Sequence, residues 1–374
     1  MSGMSGMSGM SGTTSNRESA ILGVGRYVPP QIRDNGFWEG VAFIKDRELR
    51  RKHDFLEQVE AEAEPRDELA ALQLRLMNQY NQDPFRGSRE RRVAADGVHA
   101  TDLEEQAARR ALDDAGIAPE AVDMILINSC PSDDYLPHNG TELQHRLGCG
   151  SIAVLGIDTA CTSFVSMLML ADSIIRGGGA TNILVITSAM FTRLTERDDP
   201  MSITLGDGAG AAVVGPARGQ GRQLMHMQRG LGEFRRAVCC APRDDRPWYE
   251  GHGRLIGRSR DVALGRVAIM KTTRIMYDVM TSLLAQTGLS AADVTHFFAH
   301  QGAASFNQMV ASSCGLEHAR TKDTFARYGS VGAANIPINI AEYREQEPIP
   351  SGSVIFMFSI GMGLNYSACL LVWD

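Results

Sequence analysis

A cysteine at the start of an apolar segment is the first candidate for chemistry. Cys161 closes the tetrapeptide Asp-Thr-Ala-Cys, between an apolar run at 152–157 and an almost wholly apolar stretch at 164–175. This pattern predicts a strand, a turn and a buried helix, with the thiol at or beside the helix N-terminus. Unpaired N–H groups and the helix dipole there lower the pKa of a thiol and can hold a developing oxyanion. An inert, small apolar side chain in a core helix is the alternative interpretation.

A histidine at the end of a predicted strand is the second candidate. His300 follows the apolar residues 297–299, and functional sites in open α/β sheets gather at the carboxyl ends of strands. A histidine there can serve as a base or hydrogen-bond donor for a nearby thiol, although a structural role is the alternative. The glycine-rich segments 206–210 and 361–363 lack the Lys-Ser/Thr of a phosphate loop. They suit close backbone approach beside a site.

The elements that must hold these residues occur twice. Residues 107–130 and 281–301 each read as a helix ending at a glycine (Gly116 or Gly288), a turn, an aspartate and an apolar strand. Glycine just past a helix adopts left-handed backbone angles at little cost. This internal repeat indicates two similar α/β halves, although any α/β protein repeats the order helix, glycine and strand. Near-continuous apolar strands alternating with helices indicate a sheet covered on both faces.

Composition narrows the class of protein. The 374 residues are 44% hydrophobic and 22% charged, which are globular proportions. A net charge of −7 argues against nucleic acid as the main partner, because phosphate binding needs a basic surface. Seven cysteines form no CxxC pair, and several lie in apolar runs, which is typical of reduced thiols in a cytoplasmic protein. The sequence has no apolar run of about 18 residues, so we expect no membrane-spanning helix.

Two segments stand apart from the rest of the chain. Residues 1–12 repeat Met-Ser-Gly four times, and we interpret 1–17 as a disordered leader or an expression tag. The span 36–86 is heavily charged but balanced, and 67–80 has amphipathic helical spacing. We therefore predict a helical insertion at about 36–86 that caps one side of the molecule.

Together, these motifs resemble the ketosynthase III branch of the thiolase superfamily, the β-ketoacyl-acyl-carrier-protein synthase III-like enzymes. The resemblance extends over residues 18–374 apart from the insertion. It implies a thiolase fold, with two pseudo-duplicated α/β halves in α-β-α-β-α layers. The N-terminal half would span 18–215 and carry Cys161, and the C-terminal half would span 216–374 and carry His300. The matching segments are 87–91, 158–161, 205–211, 300–301, 328–337 and 359–365.

The resemblance also implies roles for single residues. Cys161 would accept an acyl group as a thioester, and His300 would activate or stabilise the thiolate. The backbone N–H groups of Cys161 and Met362 resemble the oxyanion hole of the family. Leu136 matches the residue that reaches into the partner subunit's acyl tunnel, which implies a homodimer. Substrates would be thioesters of coenzyme A or of an acyl carrier protein, and neither a further cofactor nor a metal is implied.

Two departures from the family pattern bear on the reaction. The third catalytic residue of the family is an asparagine after a Tyr-Gly or His-Gly pair, but here Ser330 follows that pair. Asn335, five residues on, occupies a position that the family usually fills with serine, and it is a candidate substitute for the missing amide. The insertion also displaces the family's coenzyme A-contacting Trp-Arg region, which Phe85 and Arg86 do not restore. A carrier-protein-bound or unusual acyl donor is therefore favoured.

These departures lead to a specific functional hypothesis. Loss of one oxyanion-type donor costs about 10²–10³ in rate, so efficient decarboxylation is not expected. We expect a specialised acyltransferase or condensing enzyme of secondary (polyketide or fatty-acyl-derived) metabolism. It would load an acyl chain on Cys161 and pass it to an acceptor without malonyl decarboxylation. The alternatives are a decarboxylative β-ketoacyl synthase III, in which Ser330, Asn335 or a water replaces the amide, and a non-catalytic partner subunit of another ketosynthase. The retained Cys161 and His300 argue against the last.

Overall fold

The computed structural model describes residues 18–44, 67–80, 83–242, 247–250 and 256–374. The predicted leader or tag at 1–17 lies outside the described residues. Residues 45–66 and 81–82 of the predicted insertion also lie outside them. Within the described ranges, no helix is both long and apolar enough to cross a bilayer.

The strands and helices of the described residues are numbered here in chain order. The strands are β1 Ser19–Tyr27, β2 Gln31–Asp34, β3 Glu90–Val93, β4 Met124–Cys130, β5 Ala153–Gly156, β6 Ile183–Met190, β7 Asp207–Pro216, β8 Arg222–Gly230, β9 Cys239–Ala241, β10 Ile256–Arg258, β11 His296–Ala299, β12 Val354–Gly361 and β13 Asn365–Val372. The helices are α1 Glu68–Asn78, α2 Ala100–Ala115, α3 Asn139–Leu147, α4 Ser163–Arg176, α5 Phe191–Leu194, α6 Val262–Met270, α7 Thr272–Thr287, α8 Phe306–Cys314, α9 Phe325–Tyr328 and α10 Asn335–Gln346.

Two sheets of matching order confirm the predicted duplication. The first runs β1-β7-β6-β4-β5, and the second runs β11-β12-β13-β8. In the order β8-β13-β12-β11, the second sheet has two antiparallel pairings followed by one parallel pairing. The strands β1-β7-β6-β4 of the first sheet have the same sequence of pairings. The helices that precede β4 and β11 both end at glycines with positive φ, Gly116 at 63° and Gly288 at 71°. Both α/β units inferred from the sequence therefore form.

The helices fill three layers around these sheets. Helices α4 and α10 lie between the sheets, where Phe164 and Ile336 share one core with Val185 of the first sheet and Phe298 of the second. Helices α2 and α3 pack on the outer face of the first sheet, and α7 and α8 pack on the outer face of the second. The α-β-α-β-α thiolase arrangement expected from the sequence is confirmed. All eight residues of β6 are buried, as expected for a strand covered on both faces.

The amphipathic helix predicted within 67–80 is present as α1. Asp67 caps its N-terminus by accepting a hydrogen bond from the backbone N–H of Leu69 at 3.0 Å. Its buried face is formed by Gln73, Leu74 and Leu76, and Leu76 belongs to the outer core of the second sheet together with α7 and α8. The insertion therefore does place a helix on one side of the C-terminal half.

The order of the first sheet decides which strands can pair with another chain. The apolar run 183–187 lies inside β6, between β7 and β4. A strand with neighbours on both sides has no backbone groups left to pair with another chain. One edge strand of this sheet is β5, where Leu155 is 44% exposed. Any continuation of this sheet at that end must therefore use β5.

Candidate active site

One cavity of about 410 Å³ gathers most of the predicted site residues. Cys161, His300, Ser330 and Met362 all line it. The two halves thus contribute to a single site, with Cys161 from the first and the other three residues from the second. Asn335 is not among the lining residues, and Leu136 also lies outside the cavity of its own chain.

The turn before α4 fixes the position of Cys161. Ala160 has a φ of 54°, in the left-handed region that side chains rarely adopt, and its amide donates to the Asp158 carboxylate at 2.8 Å. The Ser359 hydroxyl donates to the Cys161 carbonyl at 2.7 Å, which ties the turn to β12 of the other sheet. A strained turn held from both sides is typical of a functional site.

The pKa of the Cys161 thiol departs from the sequence prediction. Burial raises its pKa to about 12, and a hydrogen bond from its own backbone amide lowers it only partly. The prediction that the helix start lowers this pKa is therefore wrong, because desolvation of the thiolate outweighs the N-terminal dipole. Burial also raises the pKa of Cys130 to about 12 and that of Cys240 to about 11, and both line the same cavity. The strained turn at the start of α4, rather than an acidic thiol, distinguishes Cys161 from these two cysteines.

His300 is a neutral imidazole with a defined tautomer. Burial lowers its pKa to about 4, and hydrogen bonds with the Gly332 backbone and the Asn335 side chain oppose that shift. The Nδ1 atom lies 3.1 Å from the Gly332 carbonyl oxygen. Because a carbonyl can only accept, Nδ1 carries the proton and Nε2 keeps its lone pair. The imidazole is therefore ready to accept a proton at Nε2.

Ser330 and Asn335 differ in whether they line the cavity. Ser330 lines the cavity, and its backbone is held to the 204–206 segment by hydrogen bonds to the Thr204 carbonyl at 2.6 Å and from the Gly206 amide at 3.1 Å. Asn335 is fully buried, and its Oδ1 accepts from the Val331 amide at 3.1 Å. Its Nδ2 has no acceptor among the described residues. Ser330 therefore borders the cavity, whereas Asn335 contacts His300 without lining the cavity.

The second amide of the predicted oxyanion hole lies in a glycine turn. A Cβ on Gly361 would lie 2.9 Å from the Cys161 amide nitrogen, so only glycine permits this close approach of β12 to the nucleophile. Gly363 has a φ of 105°, and the Asn365 side chain donates to the Met362 carbonyl at 3.3 Å. The turn thus brings Met362 to the cavity beside Cys161, as the family resemblance implies.

Sequence reasoning missed several residues of the cavity. Gln73 and Met77 of α1 line it, together with Phe306 and Met309 of α8. The amphipathic spacing of 67–80 predicted this helix, but it did not indicate that part of the helix lines the cavity. Leu136 is 78% exposed on the loop before α3.

Comparisons with known proteins find similarity in both halves of the chain. Residues 155–230 match the family model 3-oxoacyl-[acyl-carrier-protein (ACP)] synthase III, and residues 284–373 match the model for its C-terminal part. A β-ketoacyl-[acyl-carrier-protein] synthase III of Geobacillus kaustophilus is 28% identical over 95% of this chain and 99% of the relative. Its counterpart in Rhodospirillum centenum is 29% identical over 77% of this chain and 88% of the relative.

Solved structures show the same fold. The priming β-ketosynthase of the R1128 polyketide pathway superposes with a TM-score of 0.78 and 22% identity, covering 96% of this chain and 97% of that one. The 3-oxoacyl-(acyl carrier protein) synthase III of Pseudomonas aeruginosa PAO1 has a TM-score of 0.75 and 23% identity, covering 96% and 99%. Together, the two family models and the curated relatives show that the chain is similar to ketosynthase III-like, acyl-transferring condensing enzymes, and the solved structures show that it shares their fold.

Proposed function

We propose that this enzyme loads an acyl group from a coenzyme A or acyl-carrier-protein thioester onto Cys161 and transfers it to an acceptor without malonyl decarboxylation. The observation that carries the proposal is the arrangement around His300. Cys161 and His300 line one cavity with Ser330, which takes the sequence position of the family's asparagine, whereas the fully buried Asn335 does not line that cavity. We place the reaction in secondary metabolism of polyketide or fatty-acyl type.

The loading step follows from the neutral thiol and the neutral imidazole. Nε2 of His300 takes the proton of the Cys161 thiol as the sulfur attacks the thioester carbonyl. The N–H groups of Cys161 and Met362 stabilise the resulting oxyanion. When the tetrahedral intermediate collapses, the carrier thiolate leaves and receives the proton from His300. Because burial disfavours a free thiolate at Cys161, proton transfer accompanies attack instead of preceding it.

The transfer step uses the same groups in reverse. An acceptor hydroxyl, amine or acidic β-ketoacyl carbon gives its proton to Nε2 of His300 and attacks the Cys161 thioester. The new bond forms, the carbon–sulfur bond breaks, and the proton returns to the sulfur. No carbon dioxide is released in either step.

The surroundings of His300 favour this route over decarboxylation. Decarboxylation of a malonyl group creates an enolate oxygen that needs hydrogen-bond donors. The Nδ1 proton of His300 is directed to Gly332, and Nε2 accepts in this tautomer. Ser330 offers one hydroxyl on a side chain shorter than asparagine, and a neutral hydrogen bond of that kind contributes about 1 kcal/mol. A well-placed oxyanion donor contributes about 3–4 kcal/mol.

We further propose a homodimer in a cytoplasmic setting. Edge strand β5 has no neighbour on one side among the described strands, and Tyr135 and Leu136 are 77% and 78% exposed on a nearby loop. Exposed large apolar side chains next to an open sheet edge suit an interface with a second copy. All seven cysteines are free, as expected in a reducing compartment. Sedimentation at micromolar concentration tests the dimer, and a monomer there would contradict it.

Intact mass and carbon dioxide release together test the reaction. The purified protein and its Cys161→Ala variant are incubated with a panel of acyl-thioesters, and the added mass is located by peptide mapping. We expect acylation at Cys161 alone; stoichiometric acylation of the variant, or none of the wild type, would refute the proposal. The silent-subunit alternative predicts no acylation.

The Ser330 series separates the two enzymatic alternatives. We expect little carbon dioxide from malonyl-thioesters with the wild type, and unchanged acyl loading in Ser330→Ala. Ser330→Asn should raise carbon dioxide release, because it restores an amide at the cavity wall. Rapid release by the wild type that is lost in Ser330→Ala would instead assign the amide's role to Ser330 and support the decarboxylative alternative.

A further inference from the structure

The inserted helix α1 forms part of the catalytic cavity. Met77 lines the cavity and packs in the same outer core as four other lining residues. We call the part of the cavity bounded by these five apolar side chains the α1 arm: Met77, Phe306, Met309, Ile360 and Leu364. Since Cys161 lines the same continuous cavity, a group attached to its sulfur can extend into this arm.

A buried glutamine fixes the position of α1 against the C-terminal half. Gln73 is 1% exposed, and its Nε2 donates to the Ile269 carbonyl at 2.5 Å. Its Oε1 accepts from the backbone amide of Thr273 at 3.2 Å and from the Thr273 hydroxyl at 3.1 Å. The Thr273 hydroxyl also lies 2.9 Å from the Leu69 carbonyl. These bonds connect α1 to the end of α6 and the start of α7, and thereby set the distance of Met77 from the opposite wall.

A second contact holds the N-terminal end of the same helix. Arg274 of α7 pairs with Asp67, the N-cap residue of α1, at 3.1 Å. The helix is therefore held at its start and in its middle, while Met77 stands one turn beyond Gln73 on the same side. A wall held in this way has a defined position, which a selective binding pocket requires.

We propose that the α1 arm binds the alkyl chain of the acyl group carried by Cys161, and that Met77, positioned by Gln73, sets the length of chain accepted. This inference rests on the proposed acyl loading. The five side chains of the arm carry no charge, and the amide of Gln73 is already used by Ile269 and Thr273. An alkyl chain needs no hydrogen bonds, whereas the two amides of a pantetheine arm would be left without partners there.

The size of the expected effect follows from the volume at residue 77. Met77→Ala removes three heavy atoms from the wall, so the optimum chain length should increase by two to three carbons. Each additional buried methylene should raise loading about fourfold, the equivalent of about 0.8 kcal/mol. Met77→Trp should shorten the optimum by a similar amount. Gln73→Met, which keeps the volume but removes the hydrogen bonds, should broaden the distribution of chains accepted.

The experiment measures initial rates of Cys161 acylation by intact mass for saturated acyl-thioesters of increasing length on one carrier. Leu76→Ala is the matched control, because Leu76 is buried on the same helix and in the same outer core but does not line the cavity. We expect its optimum to remain that of the wild type. Met77→Leu should restore a profile close to the wild type.

A second series separates the alkyl chain from the carrier. One acyl group is presented on coenzyme A, on pantetheine and on N-acetylcysteamine. If Met77→Ala changes the preference among carriers but not among chain lengths, the arm holds the pantetheine portion and the inference is overturned. An unchanged chain-length optimum in Met77→Ala, with Cys161 still acylated, overturns it as well but leaves the proposed function intact.

A binding measurement gives a readout that does not depend on acyl transfer. Free fatty acids of increasing length are tested for protection of Cys161 against iodoacetamide, with the modified peptide quantified by mass. Protection should be strongest at the same length as loading and should shift in Met77→Ala. Equal protection at every length would overturn the inference about the α1 arm, whether or not a thioester loads. Absence of acyl loading on Cys161 would refute the proposed function instead.

Discussion

Replacing Gly361 by alanine tests the oxyanion site directly. The added methyl group would lie 2.9 Å from the Cys161 amide nitrogen and 3.3 Å from the Cys161 Cβ. The first distance is shorter than real Cβ contacts allow, so either β12 or the nucleophile turn must move by several tenths of an ångström. Gly361 has an ordinary φ of −138°, so backbone strain plays no part in the change.

The expected loss is that of one oxyanion donor. A displaced Cys161 amide no longer points at the developing oxyanion, which costs about 3–4 kcal/mol, or 10²–10³ in rate. The assay is single-turnover acylation of Cys161, quenched and read by intact mass. Gly150→Ala is the matched control, because a Cβ there meets nothing within 4 Å and its φ is not positive. The control should load at the wild-type rate. If a folded Gly361→Ala enzyme also loads at the wild-type rate, the assignment of the Cys161 amide to the oxyanion site is refuted.

Three further predictions concern pH, thiol selectivity and stability. Burial lowers the pKa of His300 from 6.5 to about 4, so acyl loading should persist as the pH falls through 6.5 and drop only on approach to 4. Between pH 6.5 and 4 the unfolded state binds a proton at His300 and the folded state does not, so the free energy of unfolding should decrease as the pH is lowered. Urea titrations of His300→Gln should show a smaller decrease; an equal decrease would contradict the shift. Iodoacetamide at neutral pH should modify Cys161 slowly when no substrate is added, since burial raises its thiol pKa to about 12; rapid labelling would show a thiolate instead. Glu104→Ala should lower the free energy of unfolding by on the order of 3 kcal/mol, measured by urea denaturation, because hydroxyl and amide donors of Ser129, Ser188 and Asn139 lose their buried acceptor. Glu104→Gln should lose less.

Local sequence determined the elements and the two central groups of the site. Apolar periodicity and helix-ending glycines specify strands β4 and β11 and the helices before them, because these signals act within a few residues. The residue types and order around Cys161 and His300 carry the family resemblance. The fold, the two halves and the enzyme class follow from these features.

Tertiary structure alone decided how the site behaves. The raised pKa of the Cys161 thiol reflects desolvation by both halves of the molecule, and its helix-start position does not reveal this. Ser330 lines the cavity and Asn335 does not, and the backbone of Ser330 is held there by hydrogen bonds to the distant 204–206 segment. The sheet order makes β5 the edge strand, and the hydrogen bonds of Gln73 bring Met77 into the cavity. Each of these depends on contacts between residues far apart in the chain, whereas sequence patterns report mainly on neighbours.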